Sequence, residues 1–413
     1  VAPALTKENT AVANTILTAT NVTRKALKIL HQKLNFVGNV NRQYDKTYES
    51  GGGAVVKGKF GPDLKIRLPN EYTVRSGMTM GTPNDTVEAS ETLTVSTVKG
   101  VDLEMSSLDL SLSIDELAER VLDPAMSVLA ANIEADAISM YKSVYNLIDG
   151  DAAAFAFTHP SLAREKLTLN LAPPSPRFCN LNPFHTTKYI DAVKGLFHDG
   201  DAVEQQYREG KIGRAQGFTF FENTLLTDHT TGTAAKTTGY LSNGATQSGA
   251  SIIVDTGTTT FLKGDVITFA GVFRVHPETK VSTGILQQFV ITADSGASAT
   301  SLAISPAVVA TGGRQNVSNT VADNSAVVKV GAGASELLNT SLAYHRDAFV
   351  FVTAPLEMPK GVNFAAREVM DGISLSLVGD FVITTRQFPY RVDCLYGYKA
   401  VRPQLACRIH ADG

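Results

Sequence analysis

The chain of 413 residues sets 37 basic against 40 acidic side chains, a formal net charge of -3, which excludes the basic excess of a dedicated nucleic-acid grip. Hydrophobic residues make up 43% and charged residues 19%, the mix of a well-packed protein long enough for two or three domains. No run is apolar enough for a membrane span, and the opening VAPALTKENTAVANT, without a basic start or apolar core, is expected not to be a secretory signal.

Residues 1–35 form a polar arm. Within it, Val22–Leu34 places Ala26, Ile29 and Leu30 on helical spacing. Its apolar face is thin, so this helix must pack on something else. Residues 36–105 predict an open, extended β-hairpin. Gly51–Gly53 punctuates it, Leu64–Leu68 alternates apolar with basic, and Val101–Met105 alternates apolar with acidic. One arm therefore carries Lys57, Lys59, Lys65 and Arg67, and the other Glu88, Glu91, Asp102 and Glu104. A two-stranded extension cannot bury a core alone, so these eight residues are the candidate contacts to a neighbouring subunit.

Residues 106–150 are expected to form one unit, and 113–148 within it are the clearest helical region. Ser113 and Glu116 make a capping box, Pro124 predicts a kink or break, and Asp149-Gly150 ends the run. After Pro124 the helix would be about 36 Å long. The acidic residues Glu116, Glu119, Asp123, Glu134 and Asp136 read as its solvated face. Residues 151–225 read as mixed α/β, with a strand at Arg177–Leu181 closed by an Asn182-Pro183 turn and a helix at Thr186–Leu196.

From 226 to 343 Thr, Ser, Gly and Ala dominate. Short strands recur at Ser251–Val254, Val266–Phe269, Val272–Val275, Phe289–Thr292 and Val327–Val330, the rhythm of a small antiparallel barrel or sandwich. After 344 the mixed character returns, so the β unit reads as an insertion. Strands are expected at Ile373–Val378, Phe381–Thr385, Arg391–Tyr396 and Leu405–Ile409, with a hairpin turn at Arg386–Arg391.

The search for chemistry finds no catalytic, cofactor or metal constellation. There is no HExxH, no GxSxG and no EF-hand loop. Gly51–Gly53 leads to no Lys-Ser/Thr, so it reads as a hinge. His198, His229 and His345 lie near aspartates along the chain, and such neighbours read as surface or capping residues. His276-Pro277 reads as a β-turn, because two ligands on a turn do not close a metal site. Cys179, Cys394 and Cys407 form no CxxC pair. They predict free buried thiols in a reducing compartment.

In order along the chain, an arm helix, a long β extension, a long helix, a mixed body with a β insertion and a strand-rich tail resemble one family. The sharpest segments are Lys263–Val290 (KGDVITFAGVFRVHPETKVSTGILQQFV), Gly210–Phe221 (GKIGRAQGFTFF) and Tyr390–Ile409 (YRVDCLYGYKAVRPQLACRI). They resemble the major capsid proteins of tailed bacteriophages, with the Hong Kong ninety-seven type of fold. More specifically they resemble coat proteins of the P-twenty-two type. The fold class implied is α+β: a peripheral domain with a long spine helix, an axial domain, an extended hairpin loop and an inserted antiparallel β-barrel.

That resemblance implies a structural protein without catalytic residues or cofactors. It implies a homo-oligomer of pentamers and hexamers, an icosahedral virion capsid built in the host cytoplasm, and packaged double-stranded DNA touched without sequence preference. A separate scaffolding protein and a portal protein are implied as partners, and no membrane. The competing readings are a bacterial nanocompartment shell, a cytoplasmic enzyme with a β accessory domain and a secreted adhesin. The first lacks the Thr/Gly-rich insertion, the second needs a titratable cluster the sequence does not show, and the third needs a signal peptide.

Overall fold

The computed structural model describes residues 19–44, 63–74, 77–78, 89–106, 118–193, 212–359, 361–362, 364–384 and 387–412. The Ser113/Glu116 capping box, the Gly51–Gly53 hinge and His198 lie outside these residues.

The arm helix runs Ala19–Lys33 and buries Val22, Ala26, Leu27 and Leu30. That narrow stripe lies on its own chain, against the Phe364–Met370 strand and the central helix. Ion pairs flank it: Arg24 to Glu368 at 3.3 Å, and Lys33 to Asp123 at 3.2 Å. Phe36 and Val37 follow in one short turn, Phe36–Asn39, and both are fully buried.

The central helix is shorter than its sequence pattern. A π-helical turn at Ala118–Leu122 precedes the α-helix Asp123–Ile138. Pro124 sits where the π turn passes into the α-helix, and having no N–H it makes no bond back to that turn. The expected interruption is thus a change of helix type. The far end differs too: a 3-10 turn covers Ser139–Ser143, and Leu147–Ala154 is a strand. Backbone pairing with the C-terminal strand claims Leu147–Asp149, so Asp149-Gly150 lies inside a sheet. Sixteen α-helical residues span about 24 Å.

Two mixed sheets make the body. One runs in the order Leu147–Ala154, Ala406–Asp412, Thr340–His345, Arg177–Leu181, Phe218–Glu222, Arg214–Ala215. The other has Asn41–Tyr44, Phe349–Ala354, Gln387–Ala400, Ile373–Gly379 and Phe364–Met370, with Thr97–Ser106 also paired to Gln387–Ala400. A single core of Leu129, Ile133, Tyr344, Phe349 and Phe351 joins the helices to both sheets. The Asn182-Pro183 dipeptide starts a helix rather than a turn: Pro183–Val193 is helical, and the Asn182 side-chain oxygen accepts from Phe184 N at 3.1 Å.

Two strand expectations near the end fail together. Among the described residues 381–384 no strand forms; Val382 makes one isolated bridge to Gln387. The expected hairpin turn at Arg386–Arg391 belongs, from Gln387 on, to a strand of 14 residues. Pro389 lies within that strand, and its carbonyl accepts from Asp380 N at 3.3 Å.

The β insertion is a closed six-stranded barrel in the order Thr237–Ser242, Gly249–Asp255, Ser301–Val308, Ser282–Ile291, Val266–Val275, Ala326–Lys329. It holds its own core of Tyr240, Ile252, Phe261, Phe269, Phe289 and Ile304. The two expected strands around Ala270-Gly271 are one. Its register shifts between Thr268 and Phe273, and Gly271 supplies the positive φ of 81°. All three cysteines are free and buried.

Candidate assembly surfaces and the barrel seat

The hairpin strand Asp63–Arg67 pairs with Ser90–Thr94, setting Lys65 opposite Thr92 and Arg67 opposite Ser90. Lys57, Lys59 and Glu88 lie outside the described residues. Asp102 and Glu104 are not on the opposing arm. They belong to Thr97–Ser106, which pairs with Gln387–Tyr396 of the body. The alternation around them is real, but a long body strand satisfies it. Glu91 bonds Lys399 within the same chain at 2.7 Å, and Lys399 also donates to Thr92 O at 2.7 Å. Asp102 stands 4.0 Å from Arg391, which has a closer partner in Asp393 at 2.6 Å.

The foot of the hairpin is therefore fastened to its own body. Leu93 and Val95 are buried against Val350, Val352 and Val401. Farther out the cover ends. Tyr72 is 55% exposed, Val74 94% and Met78 101%. Glu71 reaches the barrel, where Lys280 approaches it at 3.4 Å.

Glu134 is the residue that the sequence reading misplaced. It is buried, not solvated. Its carboxylate accepts from Asn35 N, Phe36 N and Asn223 Nδ2, each at 2.7 Å. One side chain thereby ties the arm, the central helix and the segment after Phe218–Glu222. Burial pushes the carboxyl above its ordinary range despite these donors. It forms part of the lining of an open cleft of about 420 Å³ with Lys33, Ala130, Ala131 and Glu222. The signal was in the spacing: Glu134 follows Met126 and Ala130 at intervals of four, on the buried stripe.

The barrel is seated on the body through apolar and polar contacts. Tyr145 and Leu147 pack on Val266 and Val290. Leu147 opens the outermost strand of its sheet, so its outward N–H and C=O need partners. The Gln288 carboxamide supplies both: Oε1 accepts from Leu147 N at 2.9 Å, and Nε2 donates to Leu147 O at 3.0 Å. Lys166 Nζ joins the same group, 2.6 Å from Leu147 O and 2.7 Å from Gln288 Oε1. Arg274 of the barrel donates to Leu169 O.

Behind this contact lies a buried charged set. Asp265 accepts from Gly232 N at 3.0 Å and Leu262 N at 2.9 Å, and its other oxygen lies 2.9 Å from His229 Nε2. Arg408, fully buried, donates to Gly264 O at 2.7 Å. Burial lowers its guanidinium to about 10 and lowers the Lys166 and Lys329 ammoniums as well. Gly264 has φ of 107°, and a Cβ there would stand 2.9 Å from His229, so only glycine fits. His229, read as a surface residue beside Asp228, is a core residue whose partner is 36 positions away. His345 is buried and caps a 3-10 turn by accepting from Asp347 N. His276 accepts from Glu278 N and Thr279 N in its turn.

These polar groups are used to join elements, which is the construction of a structural subunit. Solved structures that match the chain include phage capsids. The chain is similar to a protein of Mycobacterium phage Che8 (13% identity, 91% of this chain and 90% of that one, TM-score 0.45). It is similar to a capsid protein of Cyanophage P-SCSP1u (11%, 88% and 92%, 0.44). The CUS-3 coat protein I-domain matches at 25% identity over 25% of this chain and 96% of that one, TM-score 0.17. No curated protein matches the chain.

The family model described as P22 coat protein, gene protein 5, matches residues 63–408, well over half of the chain. The chain belongs to the P22 coat protein family, and its role is that of a capsid shell protein in a virion.

Proposed function

We propose that the chain forms pentamers and hexamers that tile an icosahedral shell around packaged double-stranded DNA, with a scaffolding protein guiding closure and a portal protein at one vertex. The extended hairpin, with Lys57, Lys59, Lys65, Arg67 and Glu88, then reaches over a neighbouring subunit. Glu91 and Asp102 serve first to hold the base to its own body. The inserted domain, 226–343, adds contacts between capsomers and stabilises the subunit before assembly.

One observation carries this reading: Val74 and Met78 stand almost fully exposed just beyond a firmly packed hairpin foot. Large apolar side chains on such a segment call for a cover that none of the described residues provides. Near-neutral charge agrees, because a strongly basic inner wall would hold DNA too tightly for release.

The test is negative-stain electron microscopy of the purified chain mixed with lysate from its native source, which supplies scaffold. Closed shells of uniform size are expected, and Val74→Asp with Met78→Asp should leave soluble subunits that do not close. Small discrete oligomers that never close with the unaltered chain would overturn the reading.

A further inference from the structure

Four of the eight histidines come together where barrel and body meet. His159 stacks on Phe155 at 5.3 Å, and Phe155 stacks on His185 at 4.5 Å. His185 sits 2.7 Å from Ser341 Oγ and 3.0 Å from Ala411 O, beside His410 on the C-terminal strand. The His410 ring lies 6.0 Å from that of His229, whose strand leads into the barrel. His159 and His185 are each on a separate body helix, Thr158–Leu169 and Pro183–Val193. These rings form a file that links two helices, the last strand and the stalk of the insertion, with Ala411 O joining His185 to the strand of His410.

The surroundings of His185, His229 and His410 favour neutral rings. Arg408, Lys329, His229 and His185 all face His410. Both ring nitrogens of His410 lack a hydrogen-bond partner among the described residues. His159 faces His185. Arg408, Lys142 and Asp265 face His229, and Asp265 is the carboxylate in direct contact with it. Glu336, Asp149 and Asp265 offset Lys329. A proton added to His410 or His185 would meet cations or an uncharged wall.

We propose that this histidine file makes the seating of the barrel on the body acid-sensitive: neutral rings keep it closed, and protonation near pH 5–6 loosens it. Burial holds His185, His229 and His410 below the ordinary imidazole value. The unfolded or unseated chain then takes up protons that the seated form refuses. The closed arrangement keeps its full weight above the ordinary imidazole range and loses up to about tenfold per histidine for each pH unit below it.

Hydrogen exchange of the purified full chain, corrected for intrinsic rates, tests this between about pH 7.5 and about pH 5. Exchange at 407–411 and 229–231 should rise at least about tenfold on acidification, while the barrel strand Val266–Val275 stays protected. His410→Gln should flatten that response. His229→Gln, which keeps an amide for Asp265, is the second variant should the first fail to fold, and His276→Gln in an exposed turn should change nothing. A pH-independent junction, equal acceleration of the barrel core, or the parent's full response persisting in both His410→Gln and His229→Gln would overturn the proposal.

Discussion

The hairpin and the barrel seat are both places where one part of the chain lies on another, yet they are built oppositely. At the hairpin foot the charged pair Glu91–Lys399 is more than a third exposed on both sides, and the outer residues Val74 and Met78 touch almost nothing among the described residues. At the seat Asp265, His229, Arg408 and Lys329 are all nearly inaccessible, and each makes at least one polar contact across or beside the junction. Exposed pairs are worth about 0–1 kcal/mol, whereas breaking a buried one costs about 3–5 kcal/mol. The chain thus seats its inserted barrel through buried polar contacts and fastens its hairpin foot with an exposed pair.

The comparison breaks most severely at Asp265. Asp265→Ala leaves two backbone N–H groups and His229 without their acceptor. A loss of about 3–5 kcal/mol is expected, read from the urea-unfolding midpoint of the full chain. Asp265→Asn keeps one acceptor oxygen and should fall between. If both variants unfold like the parent, the buried set holds nothing together.

Gln288 ranks second. Gln288→Leu preserves volume but frees both outward groups of Leu147 and removes one acceptor of Lys166. The expected cost is about 1–3 kcal/mol. A second consequence concerns solubility, since Leu147–Ala154 is an edge strand and open edges pair with other chains. Refolding by dilution should therefore yield more aggregate for this variant than for Gln287→Leu. An equal yield would mean that the barrel, not the carboxamide, guards the edge.

Much of this division was legible in the sequence. Arg177–Leu181, Val266–Phe269 and Ile373–Val378 were legible as short runs of strand-forming residues between turn signals, and each lies in a strand and is buried at nearly every position. The Thr/Gly-rich stretch with recurring turn signals gave an antiparallel unit that closes as a barrel. What stayed hidden was every partner chosen across the fold. Asp265 follows a turn glycine and looks like turn chemistry, and only the seat reveals it as the acceptor for His229. Glu134 looked solvated because carboxylates on helices usually are, and its donors Asn35 and Phe36 arrive from a hundred residues earlier. Asp102 and Glu104 showed the right alternation but not which strand they would pair with, since a period of two is silent about the neighbour.

The smallest effect belongs to Lys399, and it is the sharpest test of the contrast. Its ammonium bonds Glu91 at 2.7 Å with both side chains well exposed. A double-mutant cycle with Lys399→Ala and Glu91→Ala should give a coupling below about 1 kcal/mol. Salt should reduce it further, because the Debye length falls from about 10 Å at 0.1 M to about 3 Å at 1 M. Neither single variant should move the unfolding midpoint as far as Gln288→Leu does. A coupling of about 2 kcal/mol or more that survives high salt would mean the foot is locked as firmly as the barrel. The reaching segment would then start from a rigid base, and its freedom would have to begin beyond Leu68, where the hairpin leaves the packed foot.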